Sequence, residues 1–185
     1  MKETLDELIA FLKKPARGKA KNATFRYKLK TFFNLFFISL TTSFFFTSLI
    51  AILEETGVLV SDNHAVEELF KTLTPLHFFM FVAVVAPLIE ESIFRGPLTL
   101  FKQPNHFKRA FYIFALAFGF VHITNYEITT KILLCSPILI APQFFAGLYF
   151  GFIRVKFGLL WSIALHAVYN TFLFTLYLLA KDVVT

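Results

Sequence analysis

Several of the features that hold soluble and secreted domains together are scarce in this sequence. Cysteine occurs once, at Cys135, which excludes an internal disulfide and any CxxC redox or zinc pair. Cys135 lies in an apolar stretch with no His or acid near it in sequence, so it reads as a small buried residue and not a nucleophile. Charge is thin as well: charged residues make up 16% of the chain, against about 25% in a soluble domain. There is no HExxH zinc motif, no GxSG serine pocket and no pair of aspartates inside an apolar stretch, so the common metallo-, serine and aspartyl designs for cutting peptides in membranes find no support. Internal repeats and nucleic-acid-binding motifs are missing too.

What the chain has in excess is apolar bulk. It is 57% hydrophobic and contains 27 Phe, whereas a soluble domain runs about 45–50% apolar. The long apolar stretches approach the roughly 20 residues needed to cross a bilayer, and most show no polar face. Spans are expected at 31–53, 76–101, 108–125, 132–152 and 158–180, giving an all-α transmembrane bundle. The Phe surplus reads as lipid-facing bulk, and Gly147 and Gly151 form a GxxxG pair suited to close helix packing.

The net charge of +6 is unevenly placed, with half the basic residues in the first thirty positions. Residues 1–14 read as an amphipathic helix, with Leu5, Leu8, Ile9 and Leu12 at helical spacing, lying on the membrane surface or solvated. A basic linker over 15–30 follows, and residues 1–30 together precede a transmembrane domain over 31–185. Positive charge recurs at Lys102, Lys108 and Arg109 and at Arg154 and Lys156, whereas loop 54–75 is acidic. By the positive-inside rule the N-terminus is cytoplasmic and the C-terminus outside, in a multi-pass cell-membrane protein. A short outer helix is expected from Ala65 to Leu73, capped by Asp62 or Asn63.

The informative residues interrupt the spans. Glu90, Glu91 and Arg95 fall in the second, His122 in the third, and His166 and Asn170 in the fifth. Each ionisable group there costs roughly 2.5–3.5 kcal/mol on insertion scales. At about 1.5 Å per residue from the nearest cytoplasmic turn, Glu90 comes out about 21 Å deep, His122 about 27 Å, His166 about 18 Å and Asn170 about 24 Å. Four polar groups from three helices thus share one layer. Glu91 and Arg95, four residues apart, can pair on one face. Glu90 lies about 100° away round the helix and has no cation at i±4, which leaves it free to act as a general base. Pro87 can kink the helix beside it.

A carboxylate, two imidazoles and an amide in one cavity suit water activation and oxyanion stabilisation. Three other readings stay open on the residues alone. A metal such as zinc can be held by Glu90, His122 and His166. The polar groups can form a proton or ion pathway, although the fourth span offers nothing to extend one. Or they only pin helices together, in a non-catalytic immunity or scaffold protein that binds a membrane partner.

Three ordered motifs carry a family resemblance. Glu90-Glu91-Ser92-Ile93-Phe94-Arg95 resembles the EExxxR motif of the CPBP family, the CAAX proteases and bacteriocin-processing enzymes also called Abi. Phe118-Gly119-Phe120-Val121-His122 resembles its FxxxH motif, and His166-Ala167-Val168-Tyr169-Asn170 its HxxxN motif. The stretch from Gln143 to Gly151 is similar to the segment preceding the last motif, and the likeness covers about 75–175. The resemblance implies a short bacterial-type member, an intramembrane glutamic endopeptidase acting on a membrane-associated peptide or protein in the lipid bilayer. In it Glu90 would deprotonate water that His122 helps to hold, His166 and Asn170 would stabilise the oxyanion, and Glu91 and Arg95 would support them. It implies no obligatory cofactor, with zinc left open, and no nucleic-acid partner.

Overall fold

A chain this apolar must satisfy its backbone internally once in lipid, and helices do so segment by segment. The structure, a computed structural model, describes residues 1–20, 22–59 and 72–184. Within them are α1 (Lys2–Lys13), α2 (Phe25–Glu55), α3 (Pro75–Met80), α4 (Ala86–Phe94), α5 (Pro104–Val121), α6 (Thr130–Leu139), α7 (Ala141–Phe157) and α8 (Leu159–Val184). A π-helical turn, Phe81–Val85, joins α3 to α4, and 3-10 turns follow α4 and α5 at Gly96–Leu100 and His122–Asn125. Five segments are long and apolar enough to cross a membrane: Phe25–Glu55, Pro75–Leu100, Pro104–Asn125, Thr130–Phe157 and Leu159–Ala180. The protein is a multi-pass helical membrane bundle, and among the described residues there is no strand. The outer helix expected from Ala65 to Leu73 lies outside the described residues, apart from its last two positions.

Local chemistry explains where the segments begin and break. Thr24 caps α2, its hydroxyl accepting the Tyr27 N–H at 3.3 Å, so the first span starts six residues earlier than the apolar run suggests. The fourth span is discontinuous: Pro137 lies inside α6 and Pro142 opens α7, with Ile140 between. Gly158, at φ +114°, turns α7 into α8 in a single residue, a conformation that disfavours any side chain.

Packing centres on α7. Gly151 lets α5 approach so closely that a β-carbon there would meet the Phe111 ring at 2.6 Å, and one at Gly147 would meet Phe118 and the Arg95 guanidinium, both at 3.1 Å. Small residues at a helix contact serve this purpose where no hydrophobic effect drives association. The space they leave is filled by rings. Phe107, Phe111, Phe118, Phe150 and Phe152 are buried, while Phe33, Phe37, Phe44 and Phe45 face outward. The Phe surplus is therefore divided between lipid surface and core. Phe118 meets Phe94 and Phe150 in edge-on pairs.

Helix α1 docks on the ends of the spans. Leu8 is buried, Phe11 packs on Phe111 and Phe152, and the Tyr112 hydroxyl donates to the Leu12 carbonyl. Glu7 accepts from the Tyr27 hydroxyl at 2.7 Å and from Lys156 Nζ at 2.5 Å. Leu5 and Ile9 stay exposed on its outer side. The amphipathic helix thus shares the core of the bundle, because Leu8 and Phe11 find an apolar seat among the span ends.

Candidate active site

The second span brings two adjacent carboxylates into different surroundings. Glu91 points into the bundle and is fully buried. Its Oε1 lies 3.2 Å from Arg95 Nη1, one turn on. The Ser162 hydroxyl from α8 lies against its Oε2 and is also 2.9 Å from the Phe150 carbonyl. Nδ1 of His166 reaches Oε1 at 3.1 Å. Arg95 is itself buried, its guanidinium 4.0 Å from the centre of the Phe118 ring, a cation–π contact that supplements the ion pair. Nε of Arg154 donates to the Arg95 carbonyl at 3.2 Å, fixing the end of α4 against α7.

Glu90 is arranged otherwise. A quarter of its side chain is exposed, and its Oε2 is buried without a hydrogen-bond partner. That atom lies 3.7 Å from Nε2 of His166, too far for a direct hydrogen bond. The His166 ring therefore stands between both carboxylates: Nδ1 bonds Glu91 and Nε2 faces Glu90. The ring is stacked on Phe150 at 4.7 Å, which fixes its plane.

His122 arrives where α5 ends and the chain tightens into its 3-10 turn. Its Nδ1 is 2.8 Å from the Phe118 carbonyl. A carbonyl only accepts, so the hydrogen is on Nδ1, and in the neutral ring Nε2 is left as an acceptor. His122 also interacts electrostatically with Glu90, His166 and Arg95.

Asn170, one turn beyond His166 on α8, donates through Nδ2 to the Val82 carbonyl at 2.9 Å. The π-helical turn explains why that oxygen is available. Ala86 N–H bonds the Phe81 carbonyl, so the next donor in π register would be residue 87, a proline without an N–H. Asn170 completes a backbone gap that Pro87 creates.

A cavity of about 140 Å³ lies between these elements, with His122, Gln143, His166 and Asn170 in its wall beside Phe118, Phe150 and Tyr169. Glu90 stands next to it, across His166. Two polar residues here escaped the reading of the sequence. Ser162, four residues before His166, follows the same i, i+4 rule that pairs His166 with Asn170, and its helical position was the available signal. Gln143 was legible only as the first residue of the stretch that resembles the family segment, with no role of its own; its Oε1 is buried without a partner.

Among the described residues no three His, Cys, Asp or Glu side chains are grouped to hold a metal; Nδ1 of His166 is engaged by Glu91, and its Nε2 is the ring atom that faces Glu90.

No curated protein and no solved structure matches the chain. A family model described as type II CAAX prenyl endopeptidase Rce1-like matches residues 72–172. That segment includes Glu90, Glu91, Arg95, His122, His166 and Asn170, and it amounts to more than half of the 185 residues. The chain belongs to the Rce1-like family of type II CAAX prenyl endopeptidases.

Proposed function

We propose that this protein is an intramembrane glutamic endopeptidase in which Glu90 activates the attacking water. Membership of the family implies a CAAX protease-type intramembrane endopeptidase. The observation that carries the finer reading is the contrast between neighbours: Glu91 is fully engaged, whereas Glu90 keeps an unbonded oxygen 3.7 Å from His166 Nε2. A water about 2.8 Å from both atoms is compatible with that separation.

In this reading Glu90 takes a proton from water as the oxygen adds to the scissile carbonyl. Nε2 of His122 accepts from the same water and orients it. The negative charge that develops on the carbonyl oxygen falls to donors in the cavity wall. Asn170 retains a second N–H beyond the one held by Val82. Nε2 of His166, facing the same space, is the second donor in this reading. Collapse of the intermediate breaks the C–N bond, and the protonated Glu90 returns its proton to the leaving amine. Glu91 and Arg95 touch no reacting atom; they hold the His166 ring and the end of α4 in place.

The substrate in this proposal is a membrane-associated peptide or protein, and the catalytic groups work from the N-terminal, cytoplasmic side. Supporting this orientation, the basic linker, Lys102 and the basic end of α7 meet at one end of the bundle.

The test uses purified protein in liposomes with a farnesylated CAAX peptide and its unlipidated counterpart. Wild type should cleave at least one. Glu90→Gln, close in shape but unable to accept the proton, should lose cleavage by more than ~1000-fold with its unfolding temperature unchanged. Cleavage by Glu90→Gln at the wild-type rate sinks the proposal.

A further inference from the structure

Away from the catalytic groups, the end of the bundle that carries the basic linker holds a larger cavity, of about 390 Å³. Arg17 and Lys19 from the linker, Lys102 from the turn before α5 and Arg154 from α7 all line it, over an apolar floor that includes Leu98 and Phe107. No carboxylate lines it. Four cations facing one space repel one another; Arg17, Lys19 and Lys102 are exposed at its rim, and Arg154, which is buried, is the one whose charge most needs an anion to compensate it.

Among the described residues, the carboxylates that pair at this end of the bundle are engaged elsewhere. Glu3 and Glu7, on the nearby α1, are taken by Lys30 at 2.8 Å and Lys156 at 2.5 Å. Among the described residues, no salt bridge involves Arg17, Lys19, Lys102 or Arg154. Arg154 is buried, with Nε fixed on the Arg95 carbonyl and the rest of its fork free of any carboxylate. The linker does not hang loose over the cavity, since the Ala20 N–H donates to the Lys156 carbonyl at 3.1 Å. This bond holds Arg17 and Lys19 close to the end of α7.

The position identifies the anion. Leu98 and Thr99 end the second span, Phe107 begins the third and Arg154 closes the fourth, so the cavity sits where helices leave the apolar layer. Lipid phosphates lie at this level, and basic pockets between spans suit them. Next to Thr99, Leu100 is exposed, an apolar surface that an acyl chain can cover.

We propose that this cavity is a phosphate-binding site, occupied by the headgroup of an anionic phospholipid. The guanidinium of Arg154 grips the phosphate, while Arg17 and Lys19 from the linker and Lys102 from the turn before α5 close round it. Occupancy tightens Arg154 against the Arg95 carbonyl and thereby steadies the residue that pairs with Glu91.

The experiment follows thermal unfolding of the full chain in detergent with added dioleoylphosphatidic acid, dioleoylphosphatidylcholine or inorganic phosphate at constant ionic strength. Phosphatidic acid should raise the unfolding temperature more than phosphatidylcholine does. Lys19→Gln/Lys102→Gln should shift the half-maximal lipid concentration upward by roughly 25-fold, about fivefold per cation removed. Lys13→Gln/Lys14→Gln removes the same charge outside the cavity and should leave the response in place. Stabilisation by inorganic phosphate alone, lost in the Lys19/Lys102 variant, keeps the phosphate site but moves its source from lipid to solute. An equal response of both double variants, or equal stabilisation by phosphatidylcholine, overturns the site. None of these outcomes depends on cleavage.

Discussion

Nδ1 of His166 lies 3.1 Å from Oε1 of Glu91, and the same carboxylate oxygen is 3.2 Å from Arg95 Nη1. One buried acid therefore organises a cation from its own helix and a ring from α8. Replacing it removes more than a contact. Glu91→Gln leaves Arg95 charged and buried without its ion-pair partner, which costs about 3–5 kcal/mol. The unfolding temperature in detergent should fall markedly, and activity should fall with it as His166 loses its anchor. Glu90→Gln, by contrast, should unfold like wild type. Equal stability of the two variants would mean that the adjacent carboxylates are not divided between structure and chemistry.

Asn170 gives a prediction of a different shape, because it holds the Val82 carbonyl at 2.9 Å while facing the cavity. Asn170→Ala leaves a buried carbonyl unpaired, costing about 1–3 kcal/mol of stability. If Asn170 also donates to the oxyanion, kcat should drop by about 100–1000-fold. Asn170→Asp separates the two roles poorly, since the carboxylate cannot donate to either oxygen; Asn170→Gln, which keeps the donor, is the better companion. Loss of stability with kcat within threefold of wild type would reduce Asn170 to a backbone clamp.

These two residues also show what the sequence could and could not convey. The Glu91–Arg95 pair follows from i, i+4 spacing, and the five apolar segments follow from length, so both were legible. The layer shared by Glu90 and His166 was legible as well, because depth in a span is close to linear in residue number. The use made of Asn170 was not. It depends on a π-helical turn whose register, together with Pro87, leaves Val82 without a donor, and residue spacing alone does not show where such a turn falls. Docking of α1 was hidden for a similar reason: Leu8 and Phe11 mark an apolar face, but the seat for that face is built by Phe111 and Phe152, a hundred residues or more away in the chain. The division of Phe between lipid and core turned on Gly147 and Gly151, whose effect is visible only when the opposing rings are in place.

That glycine face can be tested directly. A β-carbon at Gly151 would stand 2.6 Å from the buried Phe111 ring, and the ring has little room to retreat because Phe11 packs against it edge-on at 5.2 Å. Gly151→Ala should destabilise the protein by about 1–3 kcal/mol, as overpacking does, read as a lower unfolding temperature in detergent. Gly18→Ala, with nothing within 4 Å of the added carbon, is the matched control and should be neutral. An unchanged unfolding temperature for Gly151→Ala would show that α5 and α7 separate more easily than their packing suggests.

Gln143 carries the last prediction. Its Oε1 is buried without a partner in a cavity shared with His122, His166 and Asn170. An unpaired buried acceptor is a standing cost, about 1–3 kcal/mol, so a purely structural role would be a poor reason to keep an amide there. Substrate offers the compensation: a peptide N–H entering the cavity can donate to Oε1. Gln143→Leu, similar in volume and free of polar atoms, should therefore match or exceed wild type in unfolding temperature. Its kcat/KM should fall by about tenfold, the worth of one hydrogen bond of ~1.4 kcal/mol, with most of the change in KM if the bond is made equally in ground and transition states. A variant that unfolds earlier and cleaves normally would place Gln143 among the packing residues of α7 and leave the substrate to other donors and acceptors in the wall.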